Sequence, residues 1–185
     1  MILPIYTYGQ PVLKQRTKRI PEGSEGLSAL IDDMWETMYN ARGIGLAAPQ
    51  IGRSIRLFIV DTEQLEDEES DHVGVKRVFI NAEKIEESGE EWEYEEGCLS
   101  IPDIRGDVVR PERVTLRYRD LDWNEREETF EGINARVIQH EYDHLEGILF
   151  TEHLKPLKRR RIQRRLNEMR KGIVEADYAV RPVRR

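Results

Sequence analysis

Hydrophobic residues recur at helical spacing in three stretches of the chain, with polar positions between them. The first stretch predicts a helix over residues 24–41, which Gly43 ends. A second helix is predicted over residues 133–145. A third is predicted over residues 156–171, because the proline at its start suits the first turn of a helix. The apolar stripe of the first helix consists of Leu27, Leu30, Ile31, Met34 and Met38.

Short runs of β-branched and aromatic residues between the first two helices predict strands. The runs cover residues 55–60, 78–85, 108–109, 114–118 and 128–130. Helices on either side of a block of strands predict an α+β fold, with antiparallel β-sheets packed around the second helix and with an N-terminal and a C-terminal helix. The chain contains no internal repeat or Gly/Ser-rich linker, so residues 1–185 are expected to form one domain.

The composition is that of a globular protein with a heavily charged surface. With 185 residues, of which 38% are hydrophobic and 35% charged, the chain can bury about two-thirds of the surface that its unfolded form exposes. No apolar run approaches the roughly 20 residues of a membrane span, and no signal-peptide pattern follows Met1. We therefore expect a cytoplasmic protein with no membrane partner.

Charge is unevenly distributed along the chain. The net charge is −7, but residues 155–185 contain 12 basic and 3 acidic residues, a balance of +9 that leaves −16 for the rest. The basic helix and tail are expected either to contact nucleic acid or an acidic partner, or to present a solvated face. Crowded acidic residues predict a mobile loop over residues 63–71, and residues 179–185 are expected to be frayed.

The second predicted helix carries the pattern HExxH, from His140 to His144. Residues four apart lie on the same face of a helix, so both imidazoles can bind one metal ion. The same stripe includes Ile133 and Val137, which indicates that this face packs inward. Glu141 is one step round the helix, where it can act as a general base without binding the ion. The alternative is a pair of ordinary histidines on a surface helix.

A catalytic metal of this type usually has three protein ligands and an open position for water, so a third ligand is required. The ligand patterns of familiar metallopeptidases are absent, because no histidine follows His144 until His153. Cys98 is the only cysteine and cannot form an internal disulfide. A lone cysteine is more often a buried apolar residue, but Gly97 allows close backbone approach, and Cys98 is the remaining candidate.

A glycine-rich segment, GIGLAAPQIG, covers residues 43–52. It superficially resembles a dinucleotide-binding fingerprint. That motif requires a strand before it and a helix after it, whereas here a helix precedes and Pro49 interrupts the exit. The segment is better explained as a lining on which an extended substrate pairs with the main chain, while Gln50 offers an amide donor.

The segments GIGLAAPQIG, EGCLS and QHEYDHLEG, in this order, resemble the three signature segments of peptide deformylase. Together they extend from Gly43 to Gly147, over half of the chain, and residues 5–13 and the C-terminal helix look similar too. The resemblance implies an enzyme that removes the formyl group from the N-terminal formyl-methionine of nascent polypeptides and releases formate.

The resemblance also implies roles for individual residues. The metal ligands would be Cys98, His140 and His144. Glu141 would be the acid and base, and Gln50 and the backbone N–H of Leu99 would be directed at the formyl oxygen. Gly45 would pair with the substrate backbone. The methionine pocket would be lined by Ile44, Ile133 and Val137.

In the implied mechanism, the ion lowers the pKa of water, Glu141 takes the proton and later returns it to the departing amine, and Gln50 and Leu99 stabilise the oxyanion. The cofactor would be one divalent ion, with ferrous iron implied in cells and zinc, nickel or cobalt able to replace it. The partners would be formylated nascent chains and, through the basic helix, the ribosome.

Two positions depart from a simple methionine pocket, because Arg136 and Tyr94 are near places where apolar residues would be expected. Two rival interpretations also stay open. An HExxH metallopeptidase would need a histidine or glutamate as third ligand, and it would give Gln50 and Cys98 no catalytic or metal-binding role. A non-catalytic ribosome- or RNA-binding protein would need only the basic tail.

Overall fold

The computed structural model describes residues 1–66 and 71–184. Within this part of the chain the α-helices are α1 (Leu27–Asn40), α2 (Gly132–Leu145) and α3 (Pro156–Arg170). All three are close to the ranges predicted from hydrophobic periodicity. None of the helices described is long and apolar enough to cross a membrane.

The strands form one five-stranded sheet and one two-stranded sheet. The small sheet pairs β1 (Ile5–Tyr6) with β7 (Val180–Arg181). The large sheet consists, in spatial order, of β2 (Gly45–Ala47), β3 (Leu57–Asp61), β4 (Lys76–Cys98), β5 (Ile101–Arg119) and β6 (Glu125–Glu131). All neighbours in the large sheet are antiparallel, and α2 packs against β2, β3, β5 and β6. The predicted α+β fold around the HExxH helix is confirmed, although the small sheet is parallel.

Strands β4 and β5 are much longer than the separate short strands predicted for these regions. Most of the outer half of β4 is exposed and polar, so it lacks the apolar alternation that marks a half-buried strand. In β5, residues 103–110 alternate between exposed and buried positions, but the buried positions include Gly106 and Arg110, which obscure the alternation in the sequence. Opposite charges compensate across the pair: Glu83 lies opposite Arg117, and Arg105 forms an ion pair with Glu95. Pro111, which interrupts the apolar pattern, lies opposite Glu91 next to a register shift in the ladder. Strand β2 was not predicted as a strand.

Helix α2 is buried on all sides over its last three turns. Every residue from Ala135 to Leu145 is buried, whereas the sequence predicted a single inward-facing stripe. The sheet covers one side of the helix, and the short 3-10 helix Phe150–His153 covers another, with the Phe150 ring 6.0 Å from that of His140. Polar residues on every face of α2 therefore need partners inside the protein.

Residues 179–182 of the C-terminal segment are held by hydrogen bonds, so the prediction that they are frayed is wrong. Strand β7 lies beside β1, with the N–H of Ile5 donating to the carbonyl of Ala179 at 2.9 Å. The Gln10 amide donates to the carbonyl of Pro182 at 2.8 Å. These bonds join residues at opposite ends of the chain, which no local sequence pattern reveals.

The predicted acidic loop is described only in part. Its first residues, Glu63–Leu65, form a 3-10 turn, and Glu66 accepts a hydrogen bond from the N–H of Gly74 at 2.6 Å. Residues 67–70 lie outside the described part of the chain, so the mobility of this loop stays a prediction.

Candidate metal centre and substrate cleft

The structure brings Cys98, His140 and His144 together, each with one ligand atom within 4.8 Å of the other two. Cys98 ends β4, and the two histidines are one turn apart on α2. The Sγ of Cys98 is 3.4 Å from Nε2 of His144, and the two imidazole centroids are 5.3 Å apart. One thiolate and two imidazoles are typical ligands of a divalent transition metal, so the donor set fits such an ion.

The protonation of the two histidines follows from their surroundings. Burial lowers the pKa of His144 to about 3, so its imidazole is neutral and can bind a metal. Burial also acts to lower the pKa of His140, but its hydrogen bonds with Cys98 and Glu96 raise that pKa well above the usual value. A proton therefore competes with a metal ion for His140.

A buried carboxylate that the sequence analysis missed orients His140. Glu96 Oε1 lies 2.8 Å from Nδ1 of His140, so Nε2 is the ring nitrogen that remains for the metal. Arg110 donates two hydrogen bonds to Glu96, at 2.7 and 3.0 Å, and Arg136 donates a third at 2.9 Å. Burial alone would raise the pKa of Glu96, but its bonds with His140 and Arg110 hold that pKa well below its usual range.

The same network continues to the far side of α2. Arg110 also donates to Asp143 at 2.9 Å, and Asp143 lies 2.9 Å from Nε2 of His153. Despite burial, these two partners lower the pKa of Asp143. Sequence offered one signal for both acids: each is within two residues of a predicted metal ligand, Glu96 before Cys98 and Asp143 before His144.

Arg136 belongs to this network and also lines the cleft next to the metal ligands. Its guanidinium donates to the carbonyls of Val108 at 2.8 Å and Trp92 at 2.7 Å, in addition to Glu96, and it lies 4.6 Å from the centre of the Trp92 ring. Carbonyl oxygens, a carboxylate and an aromatic face thus compensate its charge. Tyr94 is partly exposed and lines the cleft beside it.

Glu141 faces the main chain of β2 across a very short distance. A Cβ atom at Gly45 would lie only 2.6 Å from Oε1 of Glu141, so any side chain there would displace the carboxylate. The other oxygen, Oε2, is buried and has no hydrogen-bond partner among the described residues. Burial raises the pKa of Glu141 to about 7, which suits a group that accepts and returns a proton at neutral pH.

Gln50 and Leu99 border the ligand cluster on its other side. The N–H of Ala47 donates to Oε1 of Gln50 at 2.9 Å, which turns the amide nitrogen inward. That nitrogen donates to Ser100 Oγ at 3.2 Å and to Cys98 Sγ at 3.4 Å. Leu99 follows Cys98 in the turn between β4 and β5 and packs against Gly43, where a Cβ would lie 2.7 Å from Leu99 Cδ1. The Gln50 amide is therefore a fixed donor next to the metal ligands.

A cleft of about 710 Å³ opens onto these groups. Its lining includes most of the predicted site residues: Ile44, Gly45, Gln50, Cys98, Leu99, Val137, His140 and Glu141. Ile133 is not brought into this lining. It lies in the first turn of α2, beside a second hollow that also contains Trp92 and Asn134.

Part of the cleft lining comes from the C-terminal segment, which was not predicted from the sequence. Residues 175–178, between α3 and β7, line the cleft together with Ile44 and Gly45. The hydroxyl of Tyr178 donates to the carbonyl of Leu99 at 2.7 Å. Burial and the charge of Cys98 raise the pKa of Tyr178 well above its usual range, so the hydroxyl stays a donor at neutral pH.

Comparisons with known proteins agree with this geometry. The family model described as polypeptide deformylase matches residues 2–160. A peptide deformylase from Christiangramia forsetii is 50% identical, over 98% of this chain and 96% of its own length. One from Cytophaga hutchinsonii is 49% identical, over 98% of this chain and 97% of its own. The crystal structure of a peptide deformylase from Legionella pneumophila superimposes with a TM-score of 0.80 at 40% identity, covering 93% of this chain and 97% of that one.

Proposed function

The chain belongs to the polypeptide deformylase family, and we propose roles in deformylation for the residues that its cleft brings together. Members of the family are metal-dependent hydrolases that remove the N-terminal formyl group from nascent peptides, and this chain is an enzyme of that kind. The metallopeptidase and the non-catalytic RNA-binding protein are not supported. The main support for these residue roles is that the ligand atoms of Cys98, His140 and His144 lie close together at the cleft that Glu141 lines. Oε2 of Glu141 is buried there without a hydrogen-bond partner among the described residues.

The metal ligands in this proposal are Cys98, His140 and His144. The mixed sulfur and nitrogen set accommodates ferrous iron, which we propose for the cell, as well as zinc, nickel or cobalt. A bound divalent ion supplies a Lewis acid that lowers the pKa of water and polarises a carbonyl. Glu96 holds the His140 ring in the orientation that leaves Nε2 for the ligand cluster.

Glu141 moves the proton. Its Oε2 is free to accept a proton from water, and the raised pKa of about 7 allows the same oxygen to return that proton to the departing amine. Gly45 supports this role because its lack of a side chain leaves room for the carboxylate. The main chain of β2 at Gly45 pairs with the extended substrate, and Ile44 and Val137 contact the methionine side chain.

Gln50 and Leu99 stabilise the charge that develops on the formyl oxygen. The Gln50 amide nitrogen is held in place by the Ala47 N–H, and the backbone N–H of Leu99 supplies the second donor. Fixed donors of this kind do not need to reorganise during the reaction, and the loss of one costs roughly 3 kcal/mol of transition-state stabilisation.

The basic surface of α3 is proposed to dock on ribosomal RNA, where formylated chains emerge in the cytoplasm. Arg159, Arg160 and Arg161 are exposed, and in the described part of the chain only Arg164 of the α3 arginines pairs with a carboxylate, that of Glu168. Unpaired basic side chains on one element are available to phosphates. Replacement of Arg159, Arg160 and Arg161 by glutamate should abolish salt-sensitive cosedimentation with ribosomes, and unchanged cosedimentation would argue for a merely solvated surface.

We further propose that residues 1–185 act as one catalytic domain, a view supported by the pairing of β1 with β7. The experiment that tests the proposed function is an anaerobic assay of formate release from a formyl-methionyl peptide. The chain is loaded in parallel with iron, nickel or zinc, and metal content is measured in each sample. We expect formate from the wild type and loss of metal from Cys98→Ser. Full metal occupancy without formate release, or full occupancy of Cys98→Ser, would contradict the assignment.

A further inference from the structure

We propose that Tyr178 is a positioning residue for deformylation, because it holds the main chain of Leu99 in place beside the metal ligands. Tyr178 lies in the C-terminal segment, beyond the residues 2–160 that the family model matches. The inference rests on the proposed function, in which the N–H of Leu99 donates to the formyl oxygen. It adds a residue that acts on that donor from outside the signature segments.

The turn that carries the donor is short and held from three sides. Leu99 and Ser100 connect β4 to β5, and Cys98 pairs with Ile101 across the turn. Gln50 donates to Ser100 Oγ at 3.2 Å, and the N–H of Tyr8 donates to the carbonyl of Ser100 at 2.8 Å. The third contact is the bond of 2.7 Å from the Tyr178 hydroxyl to the carbonyl of Leu99. It is the one that reaches Leu99 itself.

Tyr178 can support the turn because its own segment is anchored. Two residues later the chain enters β7, which pairs with β1. The Gln10 amide donates to the carbonyls of Arg181 and Pro182, at 3.2 and 2.8 Å. The Tyr178 ring packs into the same apolar cluster as Leu99. The hydroxyl is therefore presented by ordered neighbours and not by a free tail.

The expected consequence is on the transition state more than on substrate binding. A hydrogen bond on the Leu99 carbonyl restricts rotation of its main chain, and the N–H of the same residue must meet an oxygen that becomes charged only during the reaction. An interaction that strengthens as charge develops affects kcat more than KM. A support that served folding alone would instead change stability or metal retention.

The test compares Tyr178→Phe with Tyr6→Phe as a matched control. Both variants lose only a tyrosine hydroxyl, and Tyr6 lies in β1, the strand that pairs with the C-terminal segment, outside the proposed catalytic and substrate-binding residues. Formate release from a formyl-methionyl peptide is measured as kcat per bound metal ion, together with KM and the midpoint of thermal unfolding. We expect Tyr178→Phe to lower kcat about 3- to 10-fold, as the loss of one neutral hydrogen bond predicts, with KM and metal content unchanged. Tyr6→Phe should match the wild type.

Each outcome decides the proposal. Equal kcat per metal in Tyr178→Phe and wild type would overturn it while leaving the proposed function intact. A fall in activity that only follows lost metal or a lowered unfolding midpoint would show a structural role and also overturn it. Absence of formate release from the metal-loaded wild type would contradict the proposed function, and with it the role of Tyr178. Normalisation to bound metal keeps the comparison valid if part of the variant does not fold.

Discussion

Replacement of Glu96 by glutamine is expected to weaken both the fold and the metal centre. The Glu96 side chain is only 4% exposed and meets Arg110, Arg136 and His140. Glutamine keeps the shape but removes the negative charge, so Arg136 loses its carboxylate partner and Arg110 keeps only Asp143. Breaking a buried ion pair in this way costs about 3–5 kcal/mol. That is a large part of the roughly 5–15 kcal/mol that separates a typical folded domain from its unfolded state.

The effect on the metal follows from the bond between Glu96 and Nδ1 of His140. Loss of such a partner typically weakens metal affinity about 10- to 100-fold, because the imidazole is no longer held in its orientation. The stabilising effect of Glu96 is also expected to depend on pH. Because the folded pKa is lowered from 4.5, the contribution is complete above that value and is lost as the pH falls through the folded pKa. Neutral pH is therefore the right condition for the comparison.

Two measurements test this prediction, with Glu95→Gln as the control. Urea unfolding of the metal-free variants, followed by tryptophan fluorescence, gives the free energy of unfolding, and competition with a chelator gives metal affinity. Glu95 is the adjacent carboxylate, but its side chain is 60% exposed and its ion pair with Arg105 should contribute at most about 1 kcal/mol. If Glu96→Gln and Glu95→Gln were equally stable and bound metal equally well, the buried network would not be what fixes His140.

Two further predictions concern Glu141. Gly45→Ala places a methyl group 2.6 Å from Oε1 of Glu141 and should displace the carboxylate. We expect kcat/KM for formyl-methionyl peptides to fall at least about 100-fold while metal content stays normal. Normal turnover would show that the main chain at Gly45 does not fix the position of the Glu141 carboxylate. In the metal-free chain, the folded pKa of about 7 lies above the unfolded value of 4.5, so the stability that protonated Glu141 contributes is lost as pH rises through 7. Urea unfolding should therefore show Glu141→Gln gaining stability relative to wild type between about pH 5 and pH 8, and a difference independent of pH would contradict the assigned burial.

The parts of the site that could be predicted from sequence depend on local geometry. The spacing of His140 and His144 is fixed by the helix, and hydrophobic periodicity is enough to locate that helix. The role of Cys98 came from the need for a third ligand and from a resemblance to a known family. The helices and the α+β class depend on patterns within single segments, so they too could be predicted.

The remaining features depend on contacts between distant segments. Arg110 and Asp143 are 33 residues apart, and in a chain with 35% charged residues the position beside a predicted metal ligand was the one signal that set the buried acids apart from surface acids. The length of the β4–β5 pair could not be predicted, because the outer half of β4 is exposed and polar and the buried positions of β5 include Gly106 and Arg110 as well as apolar residues. The position of Tyr178 depends on pairing between the two ends of the chain. No local sequence pattern reveals that pairing, so the C-terminal segment was predicted to be frayed.

The central claim is that Glu141 performs the proton transfer in a cleft where Cys98, His140 and His144 hold the metal. Its most direct test is formate release from a formyl-methionyl peptide by metal-loaded wild type and Glu141→Gln. Glu131→Gln serves as the control, because Glu131 immediately precedes the same helix, makes no side-chain capping bond and is 70% exposed in its side chain. We predict that Glu141→Gln retains the metal and loses at least about 100-fold in kcat, while Glu131→Gln behaves as wild type. Turnover by Glu141→Gln at the wild-type rate with equal metal content would contradict the claim.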